Sequence, residues 1–397
     1  MSATHDVVIV GGAAMGSSLA YHLLSDPAFR GRVLAIEKDP SYRLAASALS
    51  AASIRQQFST AVNIRISLHG IAFMRDIGAR LEVDGDRPDI ALREGGYLFL
   101  ATGAGAKVLA ENHALQTSLG ADIALLGPAE LARRFPWLKT EGLAAGAFGV
   151  SGEGWFDGWG LMQAFRRKAR ALGADYVQGK VAAIDKSESG AVAAVRLADG
   201  RRIACGALVN CAGASGREVA ALAGVDIPVR ARKRFVFTFA AKDRIANCPL
   251  LIDPSGVYVR PEGDGFICGA SPAPAEDIDW RDDDPAIGDV DFRHFENRVW
   301  PTLAHRIPAF ETIKPGRAWA GPYDVCELDD NAIVGSSPVP GFYLCNGFSG
   351  HGLQQSPAIG RGLAELILHG RYQTLDLGDL GYERVLARRP LKERNVV

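Results

Sequence analysis

Asp6-Val-Val-Ile-Val-Gly-Gly-Ala-Ala-Met-Gly16 decides how the rest of the chain is read. After Asp6, Val7 to Val10 are continuously apolar and all β-branched, the pattern of a parallel strand buried on both faces. The glycine turn follows at once, and Ser17 to Leu24 continues with helical periodicity. Arg32-Val-Leu-Ala-Ile36 is a second buried strand, closed by Glu37. Strand, glycine turn, helix and strand make a βαβ unit. Its turn reads G-x-A-x-x-G: Gly11 permits the tight turn, Ala13 keeps the backbone close to a phosphate, and Gly16 lets helix and strand touch. Glu37, at the end of the second strand, is placed to accept from a ribose hydroxyl and to repel a 2′-phosphate. The expectation is a dinucleotide on a Rossmann-type unit.

Working outward, Asn63 to Leu81 carries an apolar helical face, Gly95 to Leu100 reads as a strand, and Lys107 to Leu119 and Trp159 to Leu172 as helices. Lys180 to Ile203 is a β-meander, and Ala207 to Cys211 a third buried strand. Val229 to Ala270 is strand-rich with turn signals, which predicts an antiparallel sheet, and Pro272 to Asp291 reads as a loop. Gly341 to Cys345 is a strand, Asn346 to Gly352 a glycine-rich turn, and Ala358 to Leu368 a helix. A nicotinamide enzyme would go on adding parallel βαβ units. This chain inserts a meander and an antiparallel sheet, then returns to a glycine-rich strand-turn-helix. A long cofactor met by both ends of the chain points to FAD.

Composition narrows the alternatives. The 397 residues predict two packed domains, and 48% apolar with 22% charged residues is a globular balance. A formal net charge of −1 gives no reason to expect a nucleic-acid partner. The basic run Arg230-Ala-Arg-Lys-Arg234 reads as a solvated turn before a strand. The six cysteines (205, 211, 248, 268, 326, 345) form no C-x-x-C, and no metal site is expected. Several lie in apolar strand-like runs, which fits a reducing compartment. The opening apolar stretch lacks a cationic leader and no run approaches a membrane span, so the expected location is the cytoplasm.

Four stretches resemble the FAD-dependent D-amino acid oxidase superfamily, which includes sarcosine oxidase, glycine oxidase and dimethylglycine dehydrogenase. They are Val7 to Glu37, Ser53-Ile-Arg-Gln-Gln-Phe-Ser59, Val209-Asn-Cys-Ala-Gly-Ala214, and Asn346-Gly-Phe-Ser-Gly-His-Gly-Leu-Gln-Gln-Ser-Pro357. The second and fourth most resemble the branch of the mitochondrial flavoprotein that helps assemble respiratory complex I. The resemblance implies an α/β fold: a Rossmann-like FAD-binding domain from residues 1–85, 150–225 and 325–397, and an α+β substrate domain, built on an antiparallel sheet, from 86–149 and 226–324. It implies non-covalent FAD held by Gly11, Ala13, Ala14, Met15, Gly16, Glu37, Lys38, Ser47, Ser53, Ile54, Val181, Cys211, Ala212, Gly213, Gly321, Gly347, Gly350, His351, Gly352, Leu353 and Gln354. Gly321 matches the position of the tethering cysteine of sarcosine oxidase, and Ala45 to Ser53 lacks a histidine that could tether.

The implied reaction is oxidation of the C–N bond of an amino acid or N-alkyl amino acid. Arg55 matches the arginine that binds substrate carboxylate in sarcosine oxidase, and His351 an active-site histidine. Tyr258 and Arg260, two residues apart on one strand face, are expected to point toward substrate. Tyr323 stands near an arginine of glycine oxidase, and Gln354 where sarcosine oxidase has a lysine, so the carboxylate site is thinner than in either relative. Ile267 falls where sarcosine oxidase places the lysine that promotes reaction with oxygen, which favours a dehydrogenase over an oxidase. A 2-hydroxy acid dehydrogenase, with His351 as base, and a flavin-stabilised assembly factor without turnover are the competing readings. The electron acceptor, and whether the chain forms a homo-oligomer, stay open.

Overall fold

The computed structural model describes residues 4–281 and 284–395. The strand Thr4–Val10 lies inside a sheet, parallel to Val33–Glu37 on one side and to Arg202–Asn210 on the other. Asp175–Gln178 extends the sheet beyond Val33–Glu37, and Phe342–Asn346 extends it beyond Arg202–Asn210, both in parallel. Ile333–Ser336 closes that edge antiparallel. The period-2 alternation of the first strand decides what covers each face. Val7 and Ile9 pack with Leu19 and Leu23 of the helix Ala14–Ser25 and with Ile359 and Leu363 of the helix Gly352–His369. Val8 and Val10 pack with Val181, Val195 and Val219 on the opposite side. There the meander Val181–Lys186 and Val192–Leu197 folds over, paired to Arg202–Asn210. The chain is thus Rossmann-like, with its first and last long helices sharing one face.

The second sheet orders its strands Ile313–Cys326, Val229–Ala241, Gly265–Gly269, Tyr258–Glu262, Leu250–Ile252, Tyr97–Ala101, Ala145–Gly149 and Ile123–Leu126. Only the pairing of Leu250–Ile252 with Tyr97–Ala101 is parallel. One face buries Phe237, Phe239 and Phe266 against Phe295, Leu303 and Phe310. Each such ring contributes about 1.5–3 kcal/mol of hydrophobic stabilisation. The other face carries Arg234, Val236 and Tyr258 toward the first sheet.

Two sequence expectations are corrected here, and three strands are added that sequence did not place. The basic run 230–234 is no solvated turn. It lies inside Val229–Ala241, and Arg230 and Arg232 pair with Asp279 and Glu327 while Arg234 pairs with Asp277 at 2.6 Å. The final helix begins at Gly352, not Ala358, and runs through Pro357. The carbonyl of Leu353, which an amide at 357 would have bonded, accepts instead from Ser356 Oγ at 2.9 Å. Ile313–Cys326 is a fourteen-residue edge strand despite Pro315, Gly316, Gly321 and Pro322, since an edge tolerates proline. Ile123–Leu126 and Ala145–Gly149 add two strands not expected. In the expected loop 272–291, residues 282 and 283 lie outside the described residues, and Pro285–Gly288 forms a short 3₁₀ turn.

Candidate flavin and substrate site

A cavity of about 880 Å³ opens at the C-terminal ends of the parallel strands and extends to the inner face of the second sheet. This is where open α/β sheets hold their ligands. At its nucleotide end Gly11 has φ +100°, and a Cβ there would lie 2.3 Å from the Cys211 carbonyl oxygen. Ala13 precedes the helix Ala14–Ser25 without any side-chain cap, so the helix presents its free N–H groups and positive end to the cavity through Ala13, Ala14 and Met15. The Glu37 carboxylate borders the same space, steadied by the Gly12 and Asp39 amides, each at 3.0 Å. Lys38 donates to Ser215 Oγ at 3.1 Å across the cavity rim. A close-packed turn, an open helix N-terminus and an adjacent carboxylate fit a pyrophosphate followed by a ribose.

The far wall is the turn before the last helix. Asp324 organises it: one carboxylate oxygen accepts from the amides of Gly347 at 2.8 Å and Phe348 at 3.1 Å. The Ser349 amide donates to the Asp324 carbonyl at 2.8 Å. Burial pushes the Asp324 carboxyl up to about 6 against those hydrogen bonds. Gly350 has φ +88°, and a Cβ on it would fall 1.4 Å from the Tyr323 hydroxyl, so only glycine lets that phenol reach the turn.

Between these walls lies Arg55, 3% exposed, its guanidinium 4.0 Å from the Phe58 ring centroid. Nη1 donates to the Gln57 carbonyl at 2.5 Å, Nη2 meets His351 Nε2 at 3.2 Å, and Nη2 also donates to the Asn395 carbonyl. The Arg55 amide donates to Gln354 Oε1 at 2.8 Å. Behind the segment, the buried Glu153 carboxylate accepts from the amides of Gln56 at 2.5 Å and Gln57 at 3.0 Å, and from Gln57 Nε2 at 2.7 Å. Burial lifts Glu153 to about 7 and holds His351 well below the ordinary histidine range, the Arg55 charge adding to the second effect. Tyr323, partly buried near Arg55, and Tyr258 on the cavity wall are both raised by desolvation and stay protonated phenols. Among the described residues no carboxylate forms an ion pair with Arg55.

Of the residues singled out from sequence, Gly11, Ala13, Ala14, Met15, Glu37, Lys38, Ser47, Ser53, Arg55, Val181, Cys211, Ala212, Gly213, Tyr258, Gly321, Tyr323, Gly350, His351, Gly352, Leu353 and Gln354 border the cavity. Four stand behind it. Gly16 is buried where a Cβ would strike the Gly11 carbonyl at 1.9 Å, Ile54 packs with Phe156 and Phe165, and Gly347 lies against Val229 and Cys326. Arg260 shares the face of Tyr258 but stands two residues farther along, roughly 7 Å at a strand's rise. Its guanidinium holds the Ala51 carbonyl at 3.0 Å through Nε and pairs with Glu262, so it braces the wall rather than facing the cavity. Sequence reading missed Tyr97, Arg234 and Asp324, which border the cavity, and Glu153 behind Arg55. Asp324 and Arg234 sit on strands disguised by proline and by basic residues, and Glu153 lies in Gly152-Glu-Gly154, which reads as a turn.

The described residues hold no His, Cys, Asp and Glu cluster that could bind a metal, and no described helix is long and apolar enough to cross a membrane. All six cysteines are free and buried.

The family model described as FAD dependent oxidoreductase matches residues 6–366. The chain is 40% identical to "FAD-dependent oxidoreductase domain-containing protein 1" of Xenopus laevis, covering 99% of this chain and 85% of that one. It is 26% identical to human mitochondrial sarcosine dehydrogenase, over 94% of this chain and 40% of that protein. Among solved structures, L-proline dehydrogenase from P. horikoshii superposes with a TM-score of 0.82 at 23% identity, covering 98% of this chain and 99% of that one.

Proposed function

From the premise that this chain belongs to the FAD-dependent oxidoreductase family, we propose that it oxidises the C–N bond of an amino acid or N-alkyl amino acid. FAD, when bound, accepts the hydride from the carbon beside nitrogen, and water hydrolyses the resulting imine. The observation that carries the reading is Arg55, a buried guanidinium on the cavity wall with no carboxylate partner among the described residues. A buried charge calls for a counter-charge, and Glu393 and Glu153 act on Arg55 only at a distance, without touching the guanidinium. Its neutral acceptors take one N–H of Nη1 and both of Nη2 and leave Nε–H and the second Nη1–H, so a substrate carboxylate would be held by a single charged hydrogen bond together with the charge itself.

The surrounding groups suit an amine better than a 2-hydroxy acid. A hydroxyl proton needs a base. His351 is held neutral with Nε2 turned to Arg55, the Asp324 carboxylate is committed to two backbone amides, and both tyrosines remain protonated. A neutral amine needs no such base: its lone pair assists loss of hydride. The cytoplasm remains the proposed location.

The test is anaerobic bleaching of the FAD-loaded protein by amino acids, N-methyl amino acids, opines and 2-hydroxy acids. Bleaching by an amino or N-alkyl amino acid is expected. Bleaching by hydroxy acids alone would replace the reading, and no bleaching by any class would favour an assembly factor without turnover.

A further inference from the structure

The structure also shows what holds the anchor. Leu391 to Asn395 form a strap that crosses from Asp329 to the Arg55 segment. The Leu391 amide donates to Asp329 Oδ2 at 2.9 Å and the Glu393 amide to the Asp329 carbonyl at 3.0 Å. Asp329 is buried and paired with Arg384 at 2.8 Å, a rigid base for the strap. Glu393 is 1% exposed. One of its oxygens accepts from the Ser59 amide and hydroxyl, both at 2.7 Å, and from the Asn395 amide at 3.1 Å. The other accepts from Thr60 Oγ1 at 3.0 Å and Asn63 Nδ2 at 3.1 Å. Beyond it the Asn395 carbonyl accepts from Arg55 Nη2, and the Asn395 side chain bonds the Gln57 carbonyl at 3.0 Å and Asn112 at 3.1 Å.

We propose that Glu393 is a positioning residue for carboxylate recognition, fixing the strap so that the Asn395 carbonyl aims the Arg55 guanidinium at the cavity. The proposal rests on the reading of Arg55 as carboxylate anchor. A buried carboxylate is costly; the Arg55 charge acts on Glu393 without direct contact, and five hydrogen bonds offset the rest of that cost. Apolar contacts could fasten a tail with less desolvation; what the carboxylate adds is direction. It binds Ser59 and Asn395 to one oxygen, which locks the strap in register with the segment that carries Arg55. With Gln57, Asn395 and His351 each taking a donor, the guanidinium cannot turn, and less freedom is lost when an anion binds.

The test uses the FAD-loaded full chain titrated with anthranilate and, separately, with 2-aminobenzamide, the same ring without the charge, read from the visible flavin spectrum. Glu393→Ala should weaken anthranilate by about tenfold, the worth of one charged hydrogen bond, with flavin content and the amide's affinity unchanged. Glu393→Gln keeps one acceptor oxygen and should lose about threefold. Lys392→Ala, on the strap but paired outward with Asp330, should change neither ligand. No anthranilate binding by the wild type, or binding that Arg55→Lys leaves intact, removes the carboxylate reading and this proposal with it. Loss in Arg55→Lys with full affinity in Glu393→Ala overturns the strap alone. Equal weakening of both ligands makes Glu393 merely structural and overturns it too. If Glu393→Ala does not fold, Glu393→Gln decides: a loss confined to anthranilate supports the proposal and unchanged affinity ends it.

Discussion

Arg55 Nη2 stands 3.2 Å from His351 Nε2, and this contact fixes the protonation of the imidazole. Nε2 must accept, so a neutral His351 carries its proton on Nδ1. Burial first and the Arg55 charge second hold it well below the ordinary histidine range. The expected outcome is a kcat/KM profile without a histidine limb between pH 6 and 9. His351→Gln, whose amide oxygen can replace Nε2 as acceptor, should leave the shape of that profile unchanged. An inflection near neutrality that disappears in His351→Gln would overturn this account.

Arg55→Ala should lower kcat/KM by about 2–4 kcal/mol, the loss of a charged, hydrogen-bonded pair in the transition state. Arg55→Lys should recover little, because an ammonium cannot span the Gln57, His351 and Asn395 acceptors and still reach a carboxylate. FAD content, measured by absorbance, should stay near that of the wild type in both variants. Loss of flavin would show Arg55 to be structural, and unchanged kinetics would remove it from substrate recognition.

Glu153 ties stability to pH. Burial raises its carboxyl from 4.5 to about 7 in the folded chain. Between those values the folded state holds the extra proton, so this group's contribution is full below about 4.5 and is lost as pH rises through 7. Glu153→Gln removes the titration while keeping one acceptor oxygen for the Gln56 and Gln57 amides. Between pH 5 and pH 8 the wild type should therefore lose on the order of 1–3 kcal/mol relative to the variant. Denaturant midpoints at the two pH values measure this, and parallel curves would exclude Glu153 as the source.

Much of the first sheet was legible because its signals are local. The run Val7 to Val10, the turn at Gly11 and the carboxylate at Glu37 act within one βαβ unit, so periodicity alone places them together. Arg55 and His351 came from resemblance, because nothing in the spacing of residues 55 and 351 announces their contact. Pro357 hid the start of the last helix, since its missing hydrogen bond is replaced by a side chain that sequence does not reveal as the substitute. Glu153 and Glu393 escaped altogether. Each works by accepting amides from a segment distant in the chain, and a lone glutamate gives no hint of whether it will be buried.

FAD should be retained without a covalent bond, through the turn that Asp324 holds. Gly321, where the resemblance places the sarcosine oxidase tether, offers no nucleophile, and Cys326 is fully buried with its thiol pushed up to about 12. Acid precipitation should leave yellow colour in the supernatant, and colour in the pellet would refute non-covalent binding. Asp324→Ala strips the acceptor from the Gly347 and Phe348 amides and should weaken FAD by about 1–3 kcal/mol, seen as lower flavin content after dialysis. Normal retention by that variant would show that the turn holds its shape without Asp324.

Substrate-reduced protein should react slowly with oxygen and pass its electrons faster to another acceptor. The first product of oxygen reduction is superoxide, so a fixed positive charge near the flavin favours that step. Ile267, where the resemblance expects the lysine of sarcosine oxidase, is buried and pairs across the sheet with Thr238 and Arg260. An aliphatic side chain offers no charge. Its cationic neighbour Arg260 is already paired with Glu262 and turned to the Ala51 carbonyl, so its field is largely spent. Arg55, Arg234 and Arg281 remain on the cavity wall, but the first would be engaged by the substrate carboxylate, the second is clamped by Asp277 at 2.6 and 2.9 Å, and the third has a partner of its own. Stopped-flow reoxidation in air-saturated buffer, set against phenazine methosulfate, decides the matter. Dye reoxidation at least about tenfold faster than oxygen, roughly 1.4 kcal/mol in barrier, is the expected result. Equal rates would make this chain an oxidase, with Arg55, Arg234 or Arg281 supplying the charge that position 267 lacks.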